Sequence, residues 1–268
     1  ANGVIIVTTK RGQEGRIIER YDSYAAFKKL ANKLDLISPY DYALFQYERS
    51  LLANQPARYT DIFGNFQDID LYREITPNDW QEQVFGRIGH TYNNNLSISG
   101  GSDKTSFSFS YSNNNDKAIM QMSGFTRDNI SMSISNKPND RITLDFSLRY
   151  ANTQIKGGGA NEQNEISSAD SRLKFAMIYP GFPVAGLTDD AETDQDFNLH
   201  HPLVSLADND RFQKRQVYNL NGSLSWEIIK NLKLKSEIGM EDFRNFDDRF
   251  YGTTTYYVKN RPASEDQG

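Results

Sequence analysis

The chain has 268 residues, 30 of them basic and 35 acidic; the formal net charge is −5, and no Lys/Arg-rich run indicates a nucleic-acid partner. It has no cysteine, which excludes a disulfide framework, a thiolate metal site and a cysteine nucleophile. The mean hydropathy is −0.68, and no apolar run approaches the roughly 20 residues of a membrane-spanning helix. A membrane β-barrel is not excluded, because its alternating strands average out as polar.

The first residues are those of an apolar strand, at 4–7, and no basic, apolar leader or initial Met precedes them. We therefore expect the sequence to be a piece of a longer protein.

Two short helices have clear start signals. Ser38, Pro39 and Asp41 combine a cap residue, a proline at the first helical position and an acid in the first turn, which predicts a helix to about Ala53. Residues 76–79 repeat this signal before a helix over 80–85. A third helix is predicted over 168–178, where the apolar residues are less regularly spaced.

Strict alternation of apolar and polar residues predicts six strands, because successive side chains of a strand point to opposite faces. The clearest strand covers 142–150, where Leu144, Phe146 and Leu148 alternate with polar residues. The others lie at 92–98, 106–111, 130–135, 218–228 and 232–240.

The connections between these strands alternate in length. Tight turns are predicted at 100–104, 137–140 and 230–231, and longer links over 112–124 and 155–215. Short turns at one end of a sheet and long loops at the other are typical of outer-membrane barrels.

The alternation alone fits two architectures, a soluble β-sandwich whose apolar face is the core and a membrane barrel whose apolar face meets lipid. The polar faces are rich in Ser, Thr and Asn rather than in Lys and Glu, which favours the barrel. Tyr92, Tyr111, Tyr150 and Tyr218 lie beside long loops and Trp226 lies near a short turn, as in the aromatic girdles of barrels.

Several motifs carry a family resemblance. The first twelve residues, ANGVIIVTTKRG, resemble the closing strand of the plug domain in SusC/RagA-type TonB-dependent outer-membrane transporters. Further segments resemble the family and occur along the chain in the order that the family has them. Residues 17–21 (IIERY), in contrast, depart from the family's usual first barrel strand. These segments are 34–38 (LDLIS), 79–85 (DWQEQVF), 95–105 (NLSISGGSDKT), 106–111 (SFSFSY) and 201–206 (HPLVSL).

The resemblance implies a mainly β fold, an antiparallel up-and-down meander that forms part of a 22-stranded transmembrane β-barrel with short helices in its loops. Residues 1–15 would be the C-terminal strand of the plug, and 16–268 the N-terminal segment of the barrel, about seven or eight strands, with extracellular loops. The implied function is uptake of oligosaccharides or peptides through the outer membrane of a Gram-negative bacterium. The alternative from the strand pattern is a soluble β-sandwich that binds carbohydrate.

The resemblance also implies partners. They are a SusD-like surface lipoprotein as a lid, membrane lipid, a glycan or peptide substrate, and TonB through a segment that this sequence lacks. No motif of a hydrolase, nucleotide-binding protein or metalloprotease is present, so we expect neither an enzyme nor a cofactor.

Two groups of loop residues are candidate sites. Phe175, Tyr179, Phe182 and Phe197 offer aromatic side chains that could contact a substrate, or could pack the loop onto itself. Asp190, Glu192, Asp194 and Asp196 alternate as in part of a calcium loop, but the glycine and the final bidentate Glu are missing, so a solvated acidic loop is the stronger interpretation. The pair His200 and His201 is a weaker metal candidate still, because it has no nearby partner.

Overall fold

The computed structural model describes residues 15–157, 172–183, 201–253, 255 and 258. Within these residues seven strands form one antiparallel sheet, in which each strand pairs with the next along the chain. This is the up-and-down meander that the alternation predicts, and the mainly β fold is confirmed. The strands are β1 (Gly15–Lys28), β2 (Gly89–Gly101), β3 (Thr105–Lys117), β4 (Gly124–Asn139), β5 (Ile142–Lys156), β6 (Asn209–Ile229) and β7 (Leu232–Tyr251).

β1 is the strand that the alternation did not predict. Ile17 and Ile18 are adjacent, so its sequence has no clean apolar face. The strand pairs with β2 from Lys28 to Ile18, and the register is irregular between Ile18 and Gly15. Its conformation therefore follows from pairing with β2 rather than from its own pattern, since strand preference depends strongly on neighbours.

The connections alternate in length as predicted. The turns β2–β3, β4–β5 and β6–β7 are tight, and Asn231 adopts the left-handed conformation (φ 70°) that such a turn favours. The opposite end of the sheet carries residues 29–88 and 118–123 and the described parts of the connection after β5, which are 157, 172–183 and 201–208. The connection after β3 is shorter than expected, because that strand extends to Lys117 through a run of asparagines.

Helices fill the longer connections. The predicted helix α1 (Pro39–Leu52) is capped by the Ser38 side chain, which accepts a hydrogen bond from the Asp41 amide. The predicted helix over 80–85 is confirmed, although its cap is Asp79 rather than Thr76. The helices in chain order are α1, α2 (Pro56–Phe63), a 3₁₀ helix (Phe66–Glu74), α3 (Trp80–Phe85), α4 (Arg172–Ile178) and α5 (Pro202–Asp208).

Buried apolar residues lie mainly in this helical layer, by which we mean residues 29–88, 172–183 and 201–208. One cluster centres on Trp80, Val84 and Tyr179, and a second on Ala43, Tyr59 and Phe63. No helix of the described residues is long and apolar enough to cross a membrane.

Candidate functional site

The apolar face of the sheet is exposed rather than covered. Trp226 is 42% exposed, Leu144 43% and Ile238 76%. A sandwich needs a second sheet over such a face, and all strands of the described residues belong to one sheet. The soluble-sandwich alternative therefore does not fit this structure.

Tyrosines mark where the apolar face ends. Tyr111 lies beside Leu96 and Ile130, and Tyr150 lies between Ile130 and Tyr218. Tyr21 on β1 continues the same line opposite Leu96. We call Tyr21, Tyr111, Tyr150 and Tyr218 the tyrosine row. The sequence predicted three of its four members.

Tyr92 does not belong to this row. It lies four residues beyond Leu96 on the loop side, where it pairs with Ala25 and Asn115. The prediction that Tyr92 shares a girdle with the other tyrosines is therefore wrong. The reason is that β2 and β3 continue well past the end of the apolar face.

The next row of this face towards the long loops is entirely polar. The tyrosine hydroxyls point to it: Tyr21 donates to Asn94 and Tyr111 donates to Asp128, each at 2.8 Å. Tyr150 accepts from Gln216 at 3.0 Å. An apolar ring with its hydroxyl in a polar layer is the arrangement expected at a lipid–water boundary. The polar row is Ser23, Asn94, Asn113, Asp128, Asn152, Gln216 and Arg244.

Below the tyrosine row the face is mainly apolar over a membrane-like height, with Glu19 on β1 and Ser236 on β7 as polar residues within it. On β6 this band runs from Tyr218 to Ile228, which is about 33 Å along a strand. A tilt of about 40° reduces this to about 25 Å, the height of the apolar band of outer-membrane barrels. Trp226 lies near its lower end, beside the predicted short turn.

The opposite face of the sheet is polar and lined by small side chains. One row across five strands consists of Ser99, Ser108, Ser133, Ser147 and Asn221. A shallow cavity of about 440 Å³ lies on this part of the sheet. Such a face resembles the hydrated interior of a barrel more than a packed core.

The aromatic loop residues chosen from sequence lie in the helical layer, and three of the four are buried. Phe175 is fully buried, and Tyr179 and Phe182 are 9% and 7% exposed. In this conformation Phe175 has no surface to offer a ligand. Tyr179 and Phe182 border a cleft, so their contact with a substrate stays a prediction. Phe197 lies outside the described residues.

The segment from Tyr179 to Phe182 joins the two apolar clusters of the layer. Tyr179 packs edge-on against Trp80, and Phe182 packs edge-on against Tyr42 and Tyr72. Between them the Trp80 indole donates to the Pro180 carbonyl at 2.9 Å. The Asn78 amide donates to the Gly181 carbonyl at 2.6 Å. We call residues 179–182 the strap, because it fastens the connection after β5 to the connection after β1.

A cleft of about 950 Å³ lies beside the strap. Its walls come from residues within 33–42, 72–81 and 177–182. Lys33 at one wall donates to Asp79 at 2.6 Å and pairs with Glu82, and the hydrogen bond lowers the pKa of the Asp79 carboxyl. At another wall the Arg73 guanidinium stacks 3.5 Å above the Tyr40 ring.

The metal candidates cannot be located on the fold, because Asp190, Glu192, Asp194, Asp196 and His200 lie outside the described residues. His201 has a structural role: its Nδ1 accepts from the Val204 amide at 3.3 Å and so caps α5. Its ring also packs edge-on against Trp80.

Sequence reasoning missed the roles of Trp80, Gln81 and His201 in this layer. The helix start at His201 had a readable signal, since Pro202 follows it as the first helical residue. The roles of Trp80 and Gln81 had no signal in the sequence, because their partners Pro180 and Leu34 lie far away along the chain.

The exposed apolar band, the tyrosine row and the polar opposite face define a class of protein: the sheet is part of the wall of an outer-membrane type β-barrel. The chain is 28% identical over 264 residues to the TonB-dependent receptor SusC of Bacteroides thetaiotaomicron. It is 22% identical over 264 residues to the TonB-dependent receptor P3 of Formosa agariphila. These matches cover 90% and 95% of this chain but 24% of each relative, so the chain spans about a quarter of their length.

Solved structures share the fold. A structure of the RagAB peptide transporter matches with a TM-score of 0.66 and 17% identity, over 90% of this chain and 30% of that chain. The RagAB peptide importer in its closed-closed state matches with a TM-score of 0.63 and 15% identity, over 92% of this chain and 30% of that chain. No protein-family model matches the chain. The relatives and the fold together confirm the resemblance to the SusC/RagA family of TonB-dependent receptors that the sequence motifs indicate.

Proposed function

We propose that residues 16–268 form the N-terminal segment of the barrel of a TonB-dependent importer, and that residues 1–15 form the last strand of its plug. The importer lies in the outer membrane of a Gram-negative bacterium and takes up oligosaccharides or peptides. A SusD-like surface lipoprotein acts as its lid, and TonB supplies the energy. It carries substrate and catalyses no reaction on it.

The observation that carries this proposal is the apolar band with its tyrosine row. Its height of about 25 Å fits the hydrocarbon layer, and the face is exposed in the absence of lipid. The relatives support the transport function, since they are named TonB-dependent receptors and a peptide importer.

The proposal assigns a direction to the sheet. The tyrosine row lies towards the long connections, and outer-membrane barrels carry their long loops outside and their short turns in the periplasm. The helical layer then faces the exterior, where a lid and a substrate arrive. The serine-rich face lines the interior.

Site-specific labelling tests this direction. In the full-length protein, single cysteines replace Asp61, which is exposed in the helical layer, and Asn139, which ends β4 beside the tight β4–β5 turn. A membrane-impermeant maleimide on intact cells should label position 61 and not position 139. Both should react after the outer membrane is opened. Labelling of 139 but not 61 on intact cells would reverse the assignment.

A further inference from the structure

Three lysines lie on the same face of the sheet as the tyrosine row, beyond that row and towards the long connections. Each of Lys117, Lys156 and Lys214 is an even number of residues from a tyrosine of the row on its own strand, so the side chains share its face. Lys117 and Lys156 are exposed, and Lys214 is half-buried. We call these three residues the lysine group.

The register of the sheet brings the lysine group together. Lys117 pairs with Gly124 on β4, and Gly124 pairs in turn with Lys156 on β5. Two strand spacings, about 10 Å, therefore separate these lysines, and the glycine between them has no side chain to fill the gap. Lys156 pairs with Phe212, which is two residues from Lys214, so these two lysines are diagonal neighbours at about 7–8 Å.

The lysine group has no counter-charge within the part of the chain that the structure describes. No ion pair or side-chain hydrogen bond engages any of the three lysines there. At the same end of the sheet, on its opposite face, Lys28 pairs with Asp116 and Arg211 pairs with Asp247. Like charges at neighbouring positions of a sheet destabilise it, and an anion from outside the sheet would remove this repulsion.

Aromatic rings lie among the lysines. Phe212 separates Lys156 from Asp248, and Phe246 pairs with Lys214. Phe246 is 52% exposed, and Asp248 forms no ion pair with a described residue. Cations beside exposed apolar rings suit an amphiphile better than a soluble polyanion, because the rings gain only from an apolar partner.

The position of the lysine group indicates which amphiphile this is. The tyrosine row marks the end of the apolar band, and the lysine group continues the same face beyond it. A lipid whose chains cover the band holds its headgroup at this end of the face. Lysine side chains keep their stems on apolar surface while their ammonium groups reach into such a polar layer.

We propose that the lysine group binds the phosphate-bearing headgroup of an anionic membrane lipid, whose acyl chains lie along the apolar band. The phosphate lies over Gly124, between Lys117 and Lys156, and Lys214 contributes a third positive charge. The inference goes beyond transport and rests on the proposed location, which makes this face the one that meets lipid.

The test uses the full-length protein in detergent and tritium-labelled phosphatidic acid, with a scintillation proximity assay as the readout. Lys156→Gln and Lys214→Gln should each bind about fivefold more weakly than the wild type, the contribution of one basic residue at an anionic membrane surface. The matched control is Arg215→Gln, since Arg215 follows Lys214 but lies on the polar face, where it donates to Gln213. This variant should keep the wild-type affinity. Neither phosphatidylcholine nor an excess of inorganic phosphate should displace the labelled lipid.

Equal affinities of the two lysine variants and Arg215→Gln would overturn the inference. Displacement by phosphatidylcholine would also overturn it, because contact with the acyl chains would then explain the binding. Displacement by inorganic phosphate would show a site for free anions instead. Labelling at position 61 on intact cells, repeated in each variant, shows whether the variants fold and insert. It also reads the proposed location separately, so the importer assignment can hold while the lipid site fails.

Discussion

Phe146 lies near the middle of the apolar band, opposite Ile134 on β4 and Gly222 on β6. In the proposed barrel its ring faces hydrocarbon, where a charged side chain loses its hydration without a partner. Phe146→Arg should lower the free energy of unfolding by about 2–4 kcal/mol. Equilibrium unfolding of the full-length barrel by guanidinium chloride in lipid vesicles measures this loss.

The neighbouring residue is the control, because Ser147 lies on the polar face. Ser147→Asn adds a polar side chain in a hydrated interior and should change stability by no more than about 0.5 kcal/mol. A similar loss in both variants would contradict the assignment of the two faces.

Individual side chains were predictable where the strand pattern decides their direction. The alternation alone predicts that Phe146 and Ser147 lie on opposite faces of the sheet. It also places Tyr111, Tyr150 and Tyr218 on the apolar face. Phe175 did not follow, since a loop sequence gives no sign of which rings pack together. It lies on α4, which packs against α3 and α5, and these contacts between separate helices are not visible in the local sequence.

At the scale of elements, the strap depends on a glycine. A Cβ atom at Gly181 would lie 2.8 Å from the Asn78 carbonyl oxygen and 2.9 Å from the Pro77 ring. Gly181→Ala should therefore push the strap away from Pro77 and Asn78, just before α3, and cost about 1–3 kcal/mol of local stability, as overpacking usually does. Faster amide hydrogen exchange over residues 172–183 would show this loosening.

A second glycine serves as the matched control for this change. At Gly222 a Cβ would meet Ile238 at 3.4 Å, an ordinary contact, so Gly222→Ala should leave exchange over 172–183 unchanged. If Gly181→Ala also left that exchange unchanged, the strap would not fasten the two connections as described.

The start of α3 should respond to acid. Asp79 caps this helix, and the hydrogen bond from Lys33 lowers the pKa of its carboxyl below its ordinary value. A lowered pKa stabilises the folded state at pH values above the ordinary pKa of about 4. This stabilisation is lost as the pH falls through the lowered value. Amide exchange at residues 80–85, corrected for the intrinsic pH dependence, should therefore accelerate in that range.

Asp79→Asn separates the ion pair from the cap. Asparagine caps a helix about as well as aspartate but has no charge to lose. The variant should show slightly faster exchange at neutral pH and no extra acceleration in acid. An acid response that persisted in Asp79→Asn would have to come from another group.

The elements themselves were predictable to different degrees. Six strands and the capped helix α1 follow from period-2 alternation and from start signals, which are local. β1 did not follow, because its pairing with β2 overrides an irregular pattern. The cleft did not follow either, since Gln81 and the strap meet residues 33–42 only in the folded layer.

At the scale of the whole molecule, the sheet is open. β1 and β7 each pair with one strand only among the described residues, and their outer edges are long. β7 is also exposed along nearly its whole length. A barrel removes such edges by closing on itself, and an isolated open sheet tends to pair with other copies.

Residues 1–268 expressed alone in water should therefore aggregate. The apolar band adds an exposed surface well beyond the few hundred Å² that soluble monomers usually show. The polar face gives no compensation, because hydroxyl and amide groups gain little by leaving water. The apolar clusters of the helical layer hold that layer together and leave the band uncovered. Size-exclusion chromatography should give large, heterogeneous species without detergent, and a monodisperse monomer that unfolds cooperatively would contradict the barrel assignment.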